Sequence, residues 1–129
     1  MSNKLQNQIP RPTEAQEQEA LFRWADFVVG KYTEIKFLYH IPNEGKRSVY
    51  NGAAMRRQGL KKGVPDLCLP VPSGKYHALY IEMKRKGEKP SLQQLNWLDN
   101  LNLLGNRAVW CQGWCNWNFS STMQRIQPS

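Results

Sequence analysis

The chain has 129 residues and a mass of 15.0 kDa, the size of one compact domain. With 40% hydrophobic residues it can bury a core, and 18 Lys and Arg against 10 Asp and Glu leave a net charge of +8 that points to a polyanion, nucleic acid first. No apolar run is long enough to span a membrane, the N-terminus lacks the apolar core of a signal peptide, and three cysteines are too few for a disulfide scaffold, so a cytoplasmic protein with no membrane partner is expected.

Residues 1–13, with Pro10 and Pro12 among polar side chains, read as a flexible tail, leaving 14–129 as the domain. Thr13 and Gln16 have capping-box spacing, and Leu21, Trp24, Ala25 and Val28 then form one apolar helical face as far as about Val29, where Gly30 ends it. Lys36 to Ile41, stopped by Pro42, predicts a strand. Asn43 to Gly63 is basic and glycine-spaced, a loop-rich stretch with one helical turn at Ala53 to Arg57. Asp66 to Val71 and His77 to Lys84 predict a hairpin around a Pro72-Ser73-Gly74 turn. Ser91 and Gln94 repeat the capping-box spacing ahead of Leu95, Leu98 and Leu101, and Gly105-Asn106 closes that helix. A strand at Arg107 to Cys111 and a weakly amphipathic helix at Asn116 to Ile126 complete the order helix, strand, hairpin, helix, strand, helix. That order gives an α/β fold, a mixed sheet flanked by helices.

The hairpin carries the chemistry. Alternation along the second strand puts Glu82 and Lys84 on one face. If the five-residue connection sets Val71 opposite His77, Asp66 falls opposite Glu82 and two carboxylates meet across the ladder. Like charges so opposed are destabilising, and a hard divalent cation, Mg²⁺ or Mn²⁺, would relieve them, with the Met83 main-chain carbonyl as a further oxygen ligand. Lys84 then stands beside the metal, where it could orient a water or stabilise charge building on a phosphate. The bland alternative is a solvated Glu-Lys pair on a strand.

Pro65-Asp66 followed by Ile81-Glu82-Met83-Lys84 resembles the PD-(D/E)XK nuclease signature. Ile41-Pro42-Asn43-Glu44-Gly45 with Arg47, Gly59 to Asp66, and Ser91 with Gln94, Trp97 and Leu98 further resemble the blocks of one branch, the VRR-NUC nuclease domain, from about Glu14 to Gly113. The resemblance implies a restriction-endonuclease-like fold and metal-dependent phosphodiester cleavage in DNA. It implies that Asp66, Glu82 and Met83 hold the metal, that Lys84 is the catalytic lysine, and that Gln94 lies close to the site, although a capping role explains Gln94 equally. It also implies a metal-facing glutamate on the first helix, for which Glu14 is favoured over Glu17 and Glu19.

Lys46, Arg47, Arg56, Arg57, Lys61, Lys62, Lys75, Lys84, Arg85, Lys86 and Lys89 crowd one third of the chain, against only Asp66, Glu82 and Glu88. Arg47, Arg56, Arg57, Lys61, Lys62, Arg85 and Lys86 are the expected DNA-binding residues, neutralising phosphates without reading bases. Trp110 is expected to pack in the core, and Trp114 and Trp117 are better placed to stack on unpaired bases. Cys111 and Cys115 read as small buried side chains, since no histidine stands near them to complete a zinc site. The expected protein is a Mg²⁺-dependent, structure-selective DNA endonuclease that resolves four-way (Holliday) junctions as a homodimer, of a size suited to a phage and then acting in the host cytoplasm. The alternatives are a flap- or end-directed nuclease of the same family and a non-catalytic basic nucleic-acid-binding module.

Overall fold

The structure, a computed structural model, describes residues 10–43 and 49–113. Helix α1, Glu14–Val28, begins with the predicted capping box: Thr13 Oγ1 accepts from the Gln16 N–H at 3.1 Å, and Gln16 Oε1 accepts from the Thr13 N–H at 2.9 Å. Leu21 and Ala25 are buried on its inner face, and Trp24 and Val28 pack beside them.

The predicted strand Lys36 to Ile41 is replaced by a 3-10 helix, Thr33–Phe37, and a two-residue strand β1, Tyr39–His40. The buried side chains here are Ile35 and Leu38, three apart, while Phe37 is half exposed. A period of three suits a 3-10 turn and not a strand. The single turn predicted at Ala53 to Arg57 is part of a longer helix α2, Val49–Arg57. Gly52 lies inside it, at an entropic cost of roughly 1 kcal/mol relative to alanine.

Strands β2, Leu67–Leu69, and β3, Leu79–Lys84, are shorter than predicted. Pro70 and Pro72 lack ladder donors, so pairing stops on either side of Val71 and resumes only as a bridge between Ser73 and Tyr76. The register is nevertheless the one derived from the connection length: Leu67 pairs with Ile81, Cys68 with Tyr80 and Leu69 with Leu79. Helix α3, Leu92–Leu103, crosses over to β4, Arg107–Gln112, which runs parallel to β3, as a parallel neighbour requires.

The sheet order is β1-β2-β3-β4. Alternation divides it into two faces. Leu67, Leu69, Leu79, Ile81, Met83 and Cys111 meet α1 and the 3-10 helix, while Tyr80 and Ala108 meet Leu98 and Leu101 of α3. This mixed sheet between helices is the expected α/β architecture. Trp110 departs from its expected core position. It lies on β4, at the end of the strand order, and remains 37% exposed. Arg47, Trp114, Cys115, Trp117 and the predicted helix Asn116 to Ile126 lie outside the described residues. Among the described residues no helix is long and apolar enough to cross a membrane.

Candidate active site

β3 is paired on both sides, so its side chains are held from the backbone outward. Glu82 is only 2% exposed. The buried Asp66 stands one residue ahead of β2, next to Leu67, whose partner Ile81 directly precedes Glu82. Asp66 Oδ2 accepts from the Met83 N–H at 2.8 Å, so a carboxylate takes a main-chain donor at the point where β2 has not yet begun. Asn43 Nδ2 lies 3.4 Å from Asp66 Oδ1, and the His40 Nδ1 lies 3.1 Å from the Asp66 main-chain oxygen.

The approach to Asp66 is also fixed. Gly63, at φ +88°, passes so close to α3 that a side-chain carbon there would lie 3.1 Å from Gln93 and Trp97, and the Trp97 indole N–H donates to the Lys62 carbonyl at 3.0 Å. Only glycine takes both that dihedral and that proximity without strain. The loop therefore enters Pro65-Asp66 from a set direction.

Lys84 Nζ lies 3.7 Å from Glu82 Oε1 and 3.7 Å from Glu14 Oε1. Of the three glutamates considered on α1, the geometry brings Glu14, the first helical residue, to the lysine. Glu19 is exposed, and the Glu17 carboxylate lies near Gly113. Two carboxylates thus share one ammonium group, whose charge also acts on Asp66. Burial pushes Glu82 up to about 8, reinforced by the negative charge of Asp66 and opposed by Lys84. Burial also raises Asp66, against the Met83 N–H and Lys84, and raises Glu14, against Lys84.

One oxygen in this cluster, Glu82 Oε2, is buried without a hydrogen-bond partner. A buried oxygen of this kind carries its full desolvation cost. Among the described residues no three His, Cys, Asp or Glu side chains form a ready-made metal cage. Two hard carboxylates with an excess of negative charge and an unpartnered oxygen nevertheless fit Mg²⁺, which keeps several waters and takes one or two carboxylates from a protein. Met83, buried between Glu82 and Lys84, would contribute its carbonyl.

Gln94 makes the capping contact and also reaches Glu82. Its Oε1 accepts from the Ser91 N–H at 2.8 Å, which fixes the amide so that Nε2 faces away from the cap and donates to Glu82 Oε1 at 2.8 Å. The two roles are separable. Ser91→Ala removes the hydroxyl that accepts from the Gln94 N–H at 3.2 Å and should lower stability by about 1 kcal/mol with the expected cleavage retained. Gln94→Ala should cost a similar stability and lose that expected cleavage as well. Thermal melts beside cleavage assays check this, and equal cleavage by the two variants would leave Gln94 with capping alone.

The expected DNA-binding residues separate into two groups. Arg56, Arg57, Lys61, Lys62 and Lys86 are exposed. Arg85 instead donates through Nε to the Pro12 carbonyl and through Nη2 to the Arg11 carbonyl, each at 3.2 Å. Arg11 Nη1 donates to the Lys86 carbonyl at 2.7 Å. Residues 11 and 12, read as part of a free tail, are tied to the turn after β3. Sequence reasoning singled out neither Asn43 nor His40 individually. Asn43 stood within the Ile41 to Gly45 block, whereas no signal marked His40. Cys111 is a small buried side chain, its Sγ 3.5 Å from Met83 Sδ.

The model of the VRR-NUC domain family matches residues 3–114 of this chain. Among solved structures, the chain is similar to one described as a VRR_NUC domain protein, with 26% identity over 92% of this chain and 91% of that chain and a TM-score of 0.74. No curated protein matches it.

Proposed function

From the premise that this chain belongs to the VRR-NUC family of PD-(D/E)XK-like nucleases, we propose that it is a Mg²⁺-dependent, structure-selective DNA endonuclease that cuts four-way junctions as a homodimer. The observation that carries the metal dependence is the unpartnered, buried Glu82 Oε2 beside Asp66 and within reach of Lys84. Asp66, Glu82 and the Met83 carbonyl hold the ion, with Glu14 beside them, and Mn²⁺ substitutes. When bound, the cation supplies Lewis-acid polarisation and neutralises charge at the phosphate.

The other steps belong to the chain. Gln94 holds Glu82 Oε1 in place, which would leave the unpartnered Oε2 available to the ion. The Lys84 ammonium orients the attacking water and stabilises the negative charge that grows on the phosphate oxygens. Arg56, Arg57, Lys61, Lys62 and Lys86, with Arg47, neutralise flanking phosphates and set the position of the strand without selecting a sequence. The dimer follows from the two cuts that a four-way junction needs and the single candidate site found in the described part of this small chain. A cytoplasmic location, in the host if the chain is phage-encoded, accords with a DNA substrate.

A panel of four-way, flapped and linear DNA incubated with Mg²⁺ and resolved on a sequencing gel tests this, with light scattering for mass. Paired symmetric cuts across the junction by a dimer are expected, and EDTA should abolish them. Preferential cutting at flaps or ends would retain the nuclease and replace its substrate. Binding that persists in EDTA, with no cleavage in any metal, would favour the non-catalytic module.

A further inference from the structure

We propose that Arg85 is a positioning residue, which clamps the segment ahead of α1 and so holds Glu14 against Lys84, and is not a DNA contact. Its guanidinium gives two hydrogen bonds, to the Arg11 and Pro12 carbonyls, the two residues just before the Thr13 cap. Glu14 is the next residue after that cap. Lys84 directly precedes Arg85 in the chain. The clamp therefore joins the backbone that carries the lysine to the backbone that carries the glutamate, one residue from Lys84 and two from Glu14.

The grip is reciprocal. Arg11 returns a hydrogen bond to the Lys86 carbonyl beside Gly87, whose φ of +91° favours glycine and where a side-chain carbon would stand 2.9 Å from Arg11 Nη1 and displace it. The turn is itself anchored to the end of β4. The Gly113 N–H donates to the Lys84 carbonyl at 2.9 Å, and Gln112 Nε2 donates to the Glu88 carbonyl at 2.8 Å. The two carbonyls occupy the Nε–Nη2 edge of the Arg85 guanidinium, an edge that could otherwise grip a phosphate with two parallel hydrogen bonds. Its planar geometry also matters, since an ammonium group cannot reproduce the fork.

The consequence at the site rests on the nuclease reading above, whereas the clamp itself rests on geometry alone, and the test separates them. The full chain is compared with Arg85→Ala, Arg85→Lys and Arg11→Ala. The readouts are amide hydrogen exchange across the start of α1, Mn²⁺ affinity by electron paramagnetic resonance, junction affinity in EDTA at two salt concentrations, and the single-turnover rate at saturating junction. Arg85→Ala and Arg85→Lys should both speed exchange at residues 14 to 18. Both should weaken Mn²⁺ binding and slow the rate by about 10-fold or more, the usual cost of losing an outer-shell partner. Junction affinity in EDTA should not change. Arg11→Ala should show the same pattern more weakly, and with Arg85→Lys it carries the comparison if Arg85→Ala does not fold.

A loss of junction affinity in Arg85→Ala, with a salt slope reduced by about one, recovery in Arg85→Lys, and unchanged exchange and Mn²⁺ affinity, would overturn the clamp in favour of a phosphate contact. Wild-type protein that binds Mn²⁺ without cutting any DNA would sink the nuclease reading. Exchange and Mn²⁺ affinity would still decide the clamp.

Discussion

Glu82→Gln is expected to abolish metal-dependent cleavage and, in the absence of metal, to raise the melting temperature at pH 8. Both effects follow from a carboxyl group held up to about 8 by burial and by Asp66, against an ordinary value of 4.5. Between those two values the native state keeps a proton that the unfolded chain has lost. Stability of the metal-free protein therefore falls as pH rises through that window, and the protonated form's advantage is gone above about 8. The raised Asp66 and Glu14 add slopes of the same sign.

A divalent cation binds the deprotonated carboxylate, so Mg²⁺ or Mn²⁺ should restore the melting temperature most strongly at the alkaline end, with proton release on binding. Glutamine is neutral at every pH and can still accept from Gln94, so the variant's melting profile should be flatter in EDTA and respond weakly to metal. Loss of the metal's several kcal/mol at the transition state amounts to about a thousandfold or more in rate. Melting curves from pH 5 to 8.5, with EDTA and with Mg²⁺, are the measurement. A wild-type melting temperature indifferent to pH and to divalent ions would mean that Glu82 is already ionised and compensated.

Lys84→Ala should affect the same cluster in the opposite sense. Its ammonium group, whose side chain is 12% exposed, is the cation between Glu14 and Glu82. Without it, the cluster loses the positive charge that opposes the rise of Glu14, Asp66 and Glu82 alike. The metal-free variant should melt below wild type at neutral pH and gain more than wild type from Mg²⁺. Cleavage should still fall by about 10² to 10³-fold even at saturating metal, because a charge aimed at the transition state is not replaced by tighter metal binding. Lys84→Arg keeps the charge but not the compact point geometry, and should recover stability without recovering the full rate. A single-turnover rate for Lys84→Ala equal to wild type would remove the lysine from the chemistry and leave it a structural counter-ion.

The features that the sequence made legible are those set by local rules. Both capping boxes depend on two residues three apart, and both formed as read. The hairpin register followed from the length of one connection, and with it the approach of Asp66 to Glu82. The segments that were misread are those where neighbours in space decide. The 3-10 helix at Thr33–Phe37 forms because Ile35 and Leu38 find the same core as Leu21, a fact no window of sequence contains. Arg85 looked like the other basic residues around it, and its partners are main-chain carbonyls more than 70 positions away. The choice of Glu14 over Glu17 and Glu19 was equally tertiary. All three sit on one helix, and only the seating of that helix brings one of them to Lys84.

The hydrogen bond from the Met83 N–H to the Asp66 carboxylate has an evolutionary consequence. Glu82 serves the candidate chemistry at some cost to the resting fold, whereas Asp66 also closes the end of the sheet by satisfying a buried main-chain donor. A descendant released from selection for cleavage gains stability by exchanging Glu82 for a neutral side chain. It loses stability by exchanging Asp66 for alanine. Decay of the activity should therefore leave its mark on β3 first and on the Asp66 position last, so an intact Pro-Asp pair would be a poor witness to a working nuclease and an intact Glu-x-Lys a better one.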